Sequence, residues 1–326
     1  MQAGGSPMHT KLALVLFTAA IAASSTACKK KGTGDGGGGG GWFVGEGGMM
    51  RNVQNGELGE PYELGASERL NEIACRGLGE AWVVGAHGTL LYTNDGGDSW
   101  SAEVLPTTAD LHALATQDAG PVFVAGDGVF FSAVPDALSG AATWTSLGDG
   151  VTQFRSLAAA QKGTTVLAVA ADGGVWSYDQ GALVKKTTIA GARAVAVSPD
   201  GRTALLLGEG LLRSRDAGAT WTALPANAGE VFADGHVEND GAALAVGKAG
   251  VMAMVDADGR VLHQRVGTAD LHTMHVKGWT ASALDGYAAG DGGATWITHD
   301  GGWTWDAGPN VGATVLGVDE IGEGHR

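Results

Sequence analysis

Three segments of this chain hold acids, hydroxyls and a tryptophan at constant spacing. They are Thr93-Asn-Asp95-Gly-Gly97-Asp-Ser99-Trp100, Ser214-Arg-Asp216-Ala-Gly218-Ala-Thr220-Trp221 and Thr298-His-Asp300-Gly-Gly302-Trp-Thr304-Trp305. Each reads Ser/Thr-x-Asp-x-Gly-x-Ser/Thr-Trp. A carboxylate this close to two hydroxyls suits a tight turn, where it accepts backbone N–H bonds. The glycine supplies a positive φ. The tryptophan starts the next strand and buries a large ring. None of this needs a substrate, so Asp95, Asp216 and Asp300 are expected to be structural.

Other chemistry finds weaker footing. Glycosidase chemistry needs two carboxylates some 5–9.5 Å apart, and with 35 acidic residues the spacing along the chain singles out no pair. His272 and His275, with His236 and Asp234, have metal-ligand side chains. On a strand, however, positions 272 and 275 face opposite ways. No catalytic residue, metal or cofactor is therefore expected.

The boxes belong to a longer repeat. Asp95, Asp216 and Asp300 lie 121 and 84 residues apart, close to three and two periods of about 40, the length of a propeller blade. Eroded copies fill the gaps at Ser139–Trp144, Trp176–Gly181 and Val255–Gly259. An apolar run ending in a glycine-rich turn occurs seven times, beginning at Trp42, Trp82, Val122, Leu167, Ala204, Leu244 and Tyr287. Another phrase begins at Leu70, Leu111, Phe154, Ala192, Val231, Leu271 and, last, Val315. Each unit thus reads as four short strands bounded by Gly and Asp. The expected fold is an all-β, seven-bladed β-propeller of four-stranded blades over residues 42–326. Its ring closes when the C-terminal strand, Val315–Ile321, pairs inside the N-terminal blade.

Aligning the phrases from Leu70 to Leu271 places Asn71, His112, Arg155, Arg193, Phe232 and His272 at one equivalent position. Innermost strands line a propeller's channel, so this set is expected as a channel rim. It would either bind an anionic ligand or peptide, or simply fill a wet channel.

The N-terminal segment reads differently. Leu12–Ala23 is a twelve-residue apolar run. As helix it would rise only about 18 Å, too short for a ~30 Å hydrocarbon core. The small residues Ser25-Thr26-Ala27 then precede Cys28, as expected of an export signal, starting at Met1 or Met8, over residues 1–27. Ser25-Thr26-Ala27-Cys28 resembles the bacterial lipoprotein cleavage box, which implies acylation of Cys28. Lys29, where the inner-membrane retention signal has Asp, implies the outer membrane by the same resemblance. Residues 28–41, with six consecutive glycines, read as a flexible tether. Cys75, the one other cysteine, is expected in the core.

The boxes resemble the Asp-box repeats of bacterial neuraminidases. The layout WVVGAHGTLLYTNDGGDSW, Trp82 to Trp100, is similar to the propeller of the photosystem II stability and assembly factor family. That resemblance implies fold. The family's basic binding patch is not matched here, because arginines are few and scattered (Arg51, Arg69, Arg76, Arg155, Arg193). The sialidase Arg-Ile-Pro motif is absent too, leaving a sialidase-like hydrolase as the alternative reading. A net charge of −15 argues against nucleic acid. The expectation is a monomeric, non-enzymatic envelope scaffold, anchored in the membrane by lipid, that binds a protein or glycan.

Overall fold

The structure is a computed structural model. It describes residues 40–320, apart from residues 55, 63–67, 78, 119, 136–141 and 277–285. The described residues lie in one compact unit, Gly37–Arg326. The expected signal at 1–27, Cys28 and the Ser139–Ala141 part of one eroded box lie outside the described residues.

Seven four-stranded antiparallel sheets form a seven-bladed β-propeller. Blade 1 comprises Val315–Glu320, Gly40–Gly45, Met50–Gln54 and Glu57–Leu58. Blade 2 comprises Leu70–Arg76, Glu80–Gly85, Leu90–Thr93 and Ser101–Ala102. Blade 3 runs through Leu111–Thr116, Val122–Gly126, Phe130–Ala133 and Thr145–Ser146. Blade 4 holds Phe154–Ala159, Val166–Ala170, Gly174–Asp179 and Ala182–Thr188. Blade 5 follows with Ala192–Val197, Ala204–Gly208, Gly210–Ser214 and Thr222–Ala223. Blade 6 has Phe232–Val237, Ala243–Gly247, Val251–Val255 and Val261–Arg265. Blade 7 ends the series with Leu271–Val276, Gly286–Gly290, Thr295–Thr298 and Asp306–Ala307. Among the described residues, no helix is long and apolar enough to cross a membrane.

The first strand of each blade is innermost. Ring closure follows the expected route, with Val315–Glu320 pairing antiparallel to Gly40–Gly45 in the N-terminal blade (Gly41 opposite Glu320, Val44 opposite Gly317). Two glycines that the sequence assigns to the tether, Gly40 and Gly41, therefore belong to this sheet. A Cβ on Gly41 would lie 3.0 Å from the Tyr287 ring, so the strand edge packs closely there.

The core lies between blades. Phe43 and Val315 of blade 1 pack with Tyr287 of blade 7, and Val44 and Met50 with Leu70 and Ile73 of blade 2. Trp82 and Val84 meet Leu111 and Val124 at the next seam, and Phe123 and Phe130 meet Phe154 beyond it. The remaining seams are filled in the same way. Second strands are sandwiched on both sides, so Val122–Gly126 and its equivalents in blades 4 to 7 are buried throughout. That explains their continuous apolar runs, where a half-exposed strand would alternate.

The glycine ending the second strand has a steric cause. In blade 2, a Cβ on Gly85 would stand 2.3 Å from the Arg69 carbonyl oxygen, on the linker that delivers the chain to the inner strand. That same carbonyl accepts the Ala86 N–H at 2.9 Å. Blade 4 departs from the rule with Ala170 at the equivalent place. The Gly85→Ala variant is expected to destabilise the fold by about 2 kcal/mol through overpacking. Ala170→Gly in blade 4 should cost about 1 kcal/mol or less. Equal urea midpoints for Gly85→Ala and the parent chain would remove the steric explanation.

Candidate functional site

The three boxes turn between third and fourth strands, all on one face of the ring. In blade 2, Asp95 accepts the Ser99 N–H at 2.9 Å and the Ser99 hydroxyl. The Thr93 hydroxyl donates to Asp95 at 2.7 Å and accepts the Gly97 N–H at 3.1 Å. Asp216 with Thr220 and Ser214, and Asp300 with Thr304 and Thr298, repeat these bonds. Gly97, Gly218 and Gly302 have φ of 87°, 84° and 91°. Space as well as φ demands glycine. An added Cβ would stand 2.5 Å from Trp42, 2.9 Å from Leu167 and 2.7 Å from Leu244, respectively. Each of those contacts lies on the second strand of the preceding blade. Trp100 meets Trp42 edge-on at 6.0 Å. Trp221 and Trp305 pack into the equivalent seams. The box therefore joins neighbouring blades.

The opposite face carries the linkers between blades. There the register of the inner strand slips around its second residue in blades 2 to 7, the mark of a β-bulge. Asn71, His112, Arg155, Arg193 and His272 occupy these bulges, so the structure brings all five to one rim. Phe232 does not belong with them. It is fully buried at the first position of its strand, beside Leu207 and Val251, and Ala233 holds the bulge. Apolar Val231 precedes the strand by one residue and resembles a strand residue in sequence. Its carbonyl accepts the Lys248 N–H, as Arg69's accepts that of Ala86, so Val231 is a linker residue.

The rim's basic side chains have acidic neighbours. His112 Nε2 lies 3.1 Å from Asp127, and Arg155 donates to the same carboxylate at 2.8 Å. Arg193 stands 3.5 Å from Glu209, and His272 stands 2.7 Å from Asp291. Asn71 donates to the Leu111 carbonyl of the next blade at 2.6 Å. Asp127, Glu209 and Asp291 each follow the end of a second strand, so the pairing is built into the blade. The rim is a belt of polar contacts, and at these five positions both arginines face a carboxylate.

An axial channel of about 500 Å³ opens toward the box face. The fifth residue of every inner strand lines it. Blades 2 to 5 contribute Ala74, Ala115, Ala158 and Ala196, while blades 6, 7 and 1 contribute His236, His275 and Asp319. Glu72, Asp118, Asp234, Glu238 and Glu320 add further carboxylates, against the single guanidinium of Arg76. The bore thus has an alanine wall facing a charged wall.

The charged groups are held from behind. Asp234 accepts the Met274 N–H of the next blade at 2.8 Å and its neighbour Gly235's N–H at 2.7 Å. His236 Nε2 lies 3.0 Å from Glu238. Burial outweighs the backbone bonds and pushes the Asp234 carboxyl up to about 6. Burial, with Asp234 second, raises Glu72 well above the usual carboxylate range. Burial and then the Asp319 charge raise the Cys75 thiol, so Cys75 is poorly suited to act as a nucleophile. It is a half-buried channel residue where a core position was expected. His272 sits at the rim and His275 in the bore. Among the described residues, no three His, Cys, Asp or Glu side chains gather as a metal site.

Glu72, Asp234 and Asp319 become a set only in the folded ring. A signal was there: LNEIAC, VFADGH and VLGVDE are the inner strands with acids inside an apolar phrase.

No protein family and no curated protein matches the chain. Solved structures do. YCF48 bound to a D1 peptide matches at 16% identity and TM-score 0.56, over 73% of this chain and 80% of its own. YCF48 from Cyanidioschyzon merolae matches at 15% and 0.56, over 76% and 87%. The WD40 β-propeller domain of Doa1 matches at 14% and 0.60, over 77% and 86%. At such identities the likeness is one of fold.

The channel and box carboxylates act in opposite senses on stability. With Asp234 near 6 when folded, against an ordinary 3.8, the native state takes up a proton between those values that the unfolded chain does not. Its contribution to stability therefore grows as pH falls through that window. Bonds from the Thr220 hydroxyl and N–H hold Asp216 down at about 2. Its contribution is present above about pH 4 and is lost as pH falls through 2. The melting temperature should rise from about pH 7.5 to 5 and drop below about pH 3.5. In Asp234→Asn the rise should shrink while the acid drop stays. Identical profiles for variant and parent would refute the channel's part.

Proposed function

We propose that this chain is a non-enzymatic envelope scaffold whose propeller recognises a protein or glycan through the box-face mouth of its channel. The carrying observation is that channel. It is concave and two-sided, with polar groups converging from blades 6, 7, 1 and 2, the form expected of a recognition site. YCF48, a propeller of similar fold, is described bound to a D1 peptide, which supports a protein partner. The lipoprotein-like box at Cys28 supports export, acylation and an outer-membrane anchor, and the tether then lets a monomeric propeller reach its partner. The −15 charge supports a partner other than nucleic acid.

A hydrolase on the same propeller is the competing reading, favoured by the raised carboxyls of Glu72 and Asp234. Against it, both Asp234 oxygens already accept backbone N–H groups. A general acid must instead face its substrate.

Photo-crosslinkers placed at Ala158 in the bore and at Arg193 on the rim test the reading in intact cells. A discrete adduct from position 158 but not 193 is expected. Adducts from 193 alone would move recognition to the linker face, and turnover of aryl glycosides or sialyl conjugates would overturn the non-enzymatic assignment. Metabolic labelling with an alkynyl fatty acid should mark the parent chain and not Cys28→Ala; equal labelling of both would sink the anchor.

A further inference from the structure

Blade 1 differs from the other six in being assembled from both ends of the described chain. Its inner strand arrives last, and no hairpin joins it to the second strand, Gly40–Gly45. Beyond its ladder to Gly40–Gly45 and the packing of Val315 and Val318, most of its polar ties to the two neighbouring blades are held by one residue. Asp319 Oδ2 accepts the Cys75 N–H of blade 2 at 2.7 Å. Asp319 Oδ1 lies 2.8 Å from His275 Nδ1 of blade 7 and accepts the Glu320 N–H at 2.7 Å. Thr273 of blade 7 adds a separate bond, accepting the Val318 N–H at 3.1 Å.

We propose that Asp319 is the clasp of the ring: one carboxylate locks the C-terminal strand to both neighbouring blades, and its loss lets that strand open as a unit. Charge-assisted bonds to a carboxylate are roughly twice as strong as neutral ones. At this position they tie two seams at once. By comparison, Asp234 ties one seam, between blades 6 and 7, within a strand already anchored by its own hairpin. Released, the strand leaves Trp42–Val44 with a bare sheet edge, the kind that accepts an added strand. The groups facing Asp319 in the bore are Cys75, His275, Glu320, Glu72 and Asp234.

Cys75 is a built-in reporter. Its thiol lies against Asp319 and is held back by burial first and that charge second. Asp319→Asn keeps the shape and one acceptor oxygen, and Asp319→Ala removes both. The experiment follows hydrogen exchange by peptide mass spectrometry together with the iodoacetamide alkylation rate of Cys75, scored on its own peptide. In Asp319→Asn, exchange should speed about tenfold or more in 41–45, 70–76 and 315–320. Strand 166–170 of blade 4 should stay as in the parent chain, and Cys75 alkylation should accelerate alongside the local exchange. Uniform acceleration across all blades would make Asp319 an ordinary contributor to global stability and overturn the clasp. So would unchanged exchange in 315–320. If Asp319→Ala fails to fold, Asp319→Asn still decides between these outcomes.

Discussion

A four-stranded blade of this chain cannot bury its faces alone, and every other feature follows from that constraint. Second strands such as Val122–Gly126 are apolar on both sides. Each side is dry only when another blade lies against it. Burying one such large side chain contributes about 1.5–3 kcal/mol, and a blade has several. Stacking blades satisfies the constraint for all but the two terminal faces, and a closed ring removes those as well. The C-terminal strand in blade 1 is the covalent consequence. It makes the first and last blades neighbours that cannot part without breaking a sheet.

The geometry within and between blades is set by contacts that admit no extra atom. Gly85 passes under the Arg69 carbonyl, and Gly97 lies against Trp42 of the preceding blade. One contact sits on the linker face and the other on the box face, so the two hold opposite ends of a wedge. The aspartates of the boxes stiffen the turns that make the second contact. This is why chemically expressive residues recur at constant spacing in positions unconnected with chemistry. Outer strands are under less constraint. Most are two residues long, while Ala182–Thr188 is exposed along most of its length and protected by Lys185, Lys186 and a bulge, devices that discourage added strands.

The two openings of the channel differ in electrostatic character. On the linker face, Arg155 and Arg193 find acids placed just past a second strand, Asp127 and Glu209. On the box face, carboxylates from Glu72 to Glu320 gather with little to offset them. Burial keeps Asp234 close to neutral pH, so the bore changes charge in a range where the boxes do not. That separation lets one fold hold rigid turns and a responsive channel.

The architecture was legible in the residues because its cause is local and repeated. Strand length, turn glycines and the Asp–Ser/Thr–Trp spacing recur about every forty residues. Six of the seven inner strands begin where their phrases do. The seventh slipped at Val231, because an apolar linker residue looks like a strand residue until its carbonyl is seen bonded to the next turn. The sequence also carried the phase of the ends, and with it the closure. Tertiary structure alone decided what the charges do. His112 and Asp127 are fifteen residues apart, Cys75 and Asp319 are 244 apart, and nothing along the chain marks either pair. The reason is geometric: the ring lays the same strand position of all seven blades around one axis, so residues remote in sequence become neighbours on adjacent inner strands. Patterning by period reveals which residues share a ring; only closure reveals which of them touch.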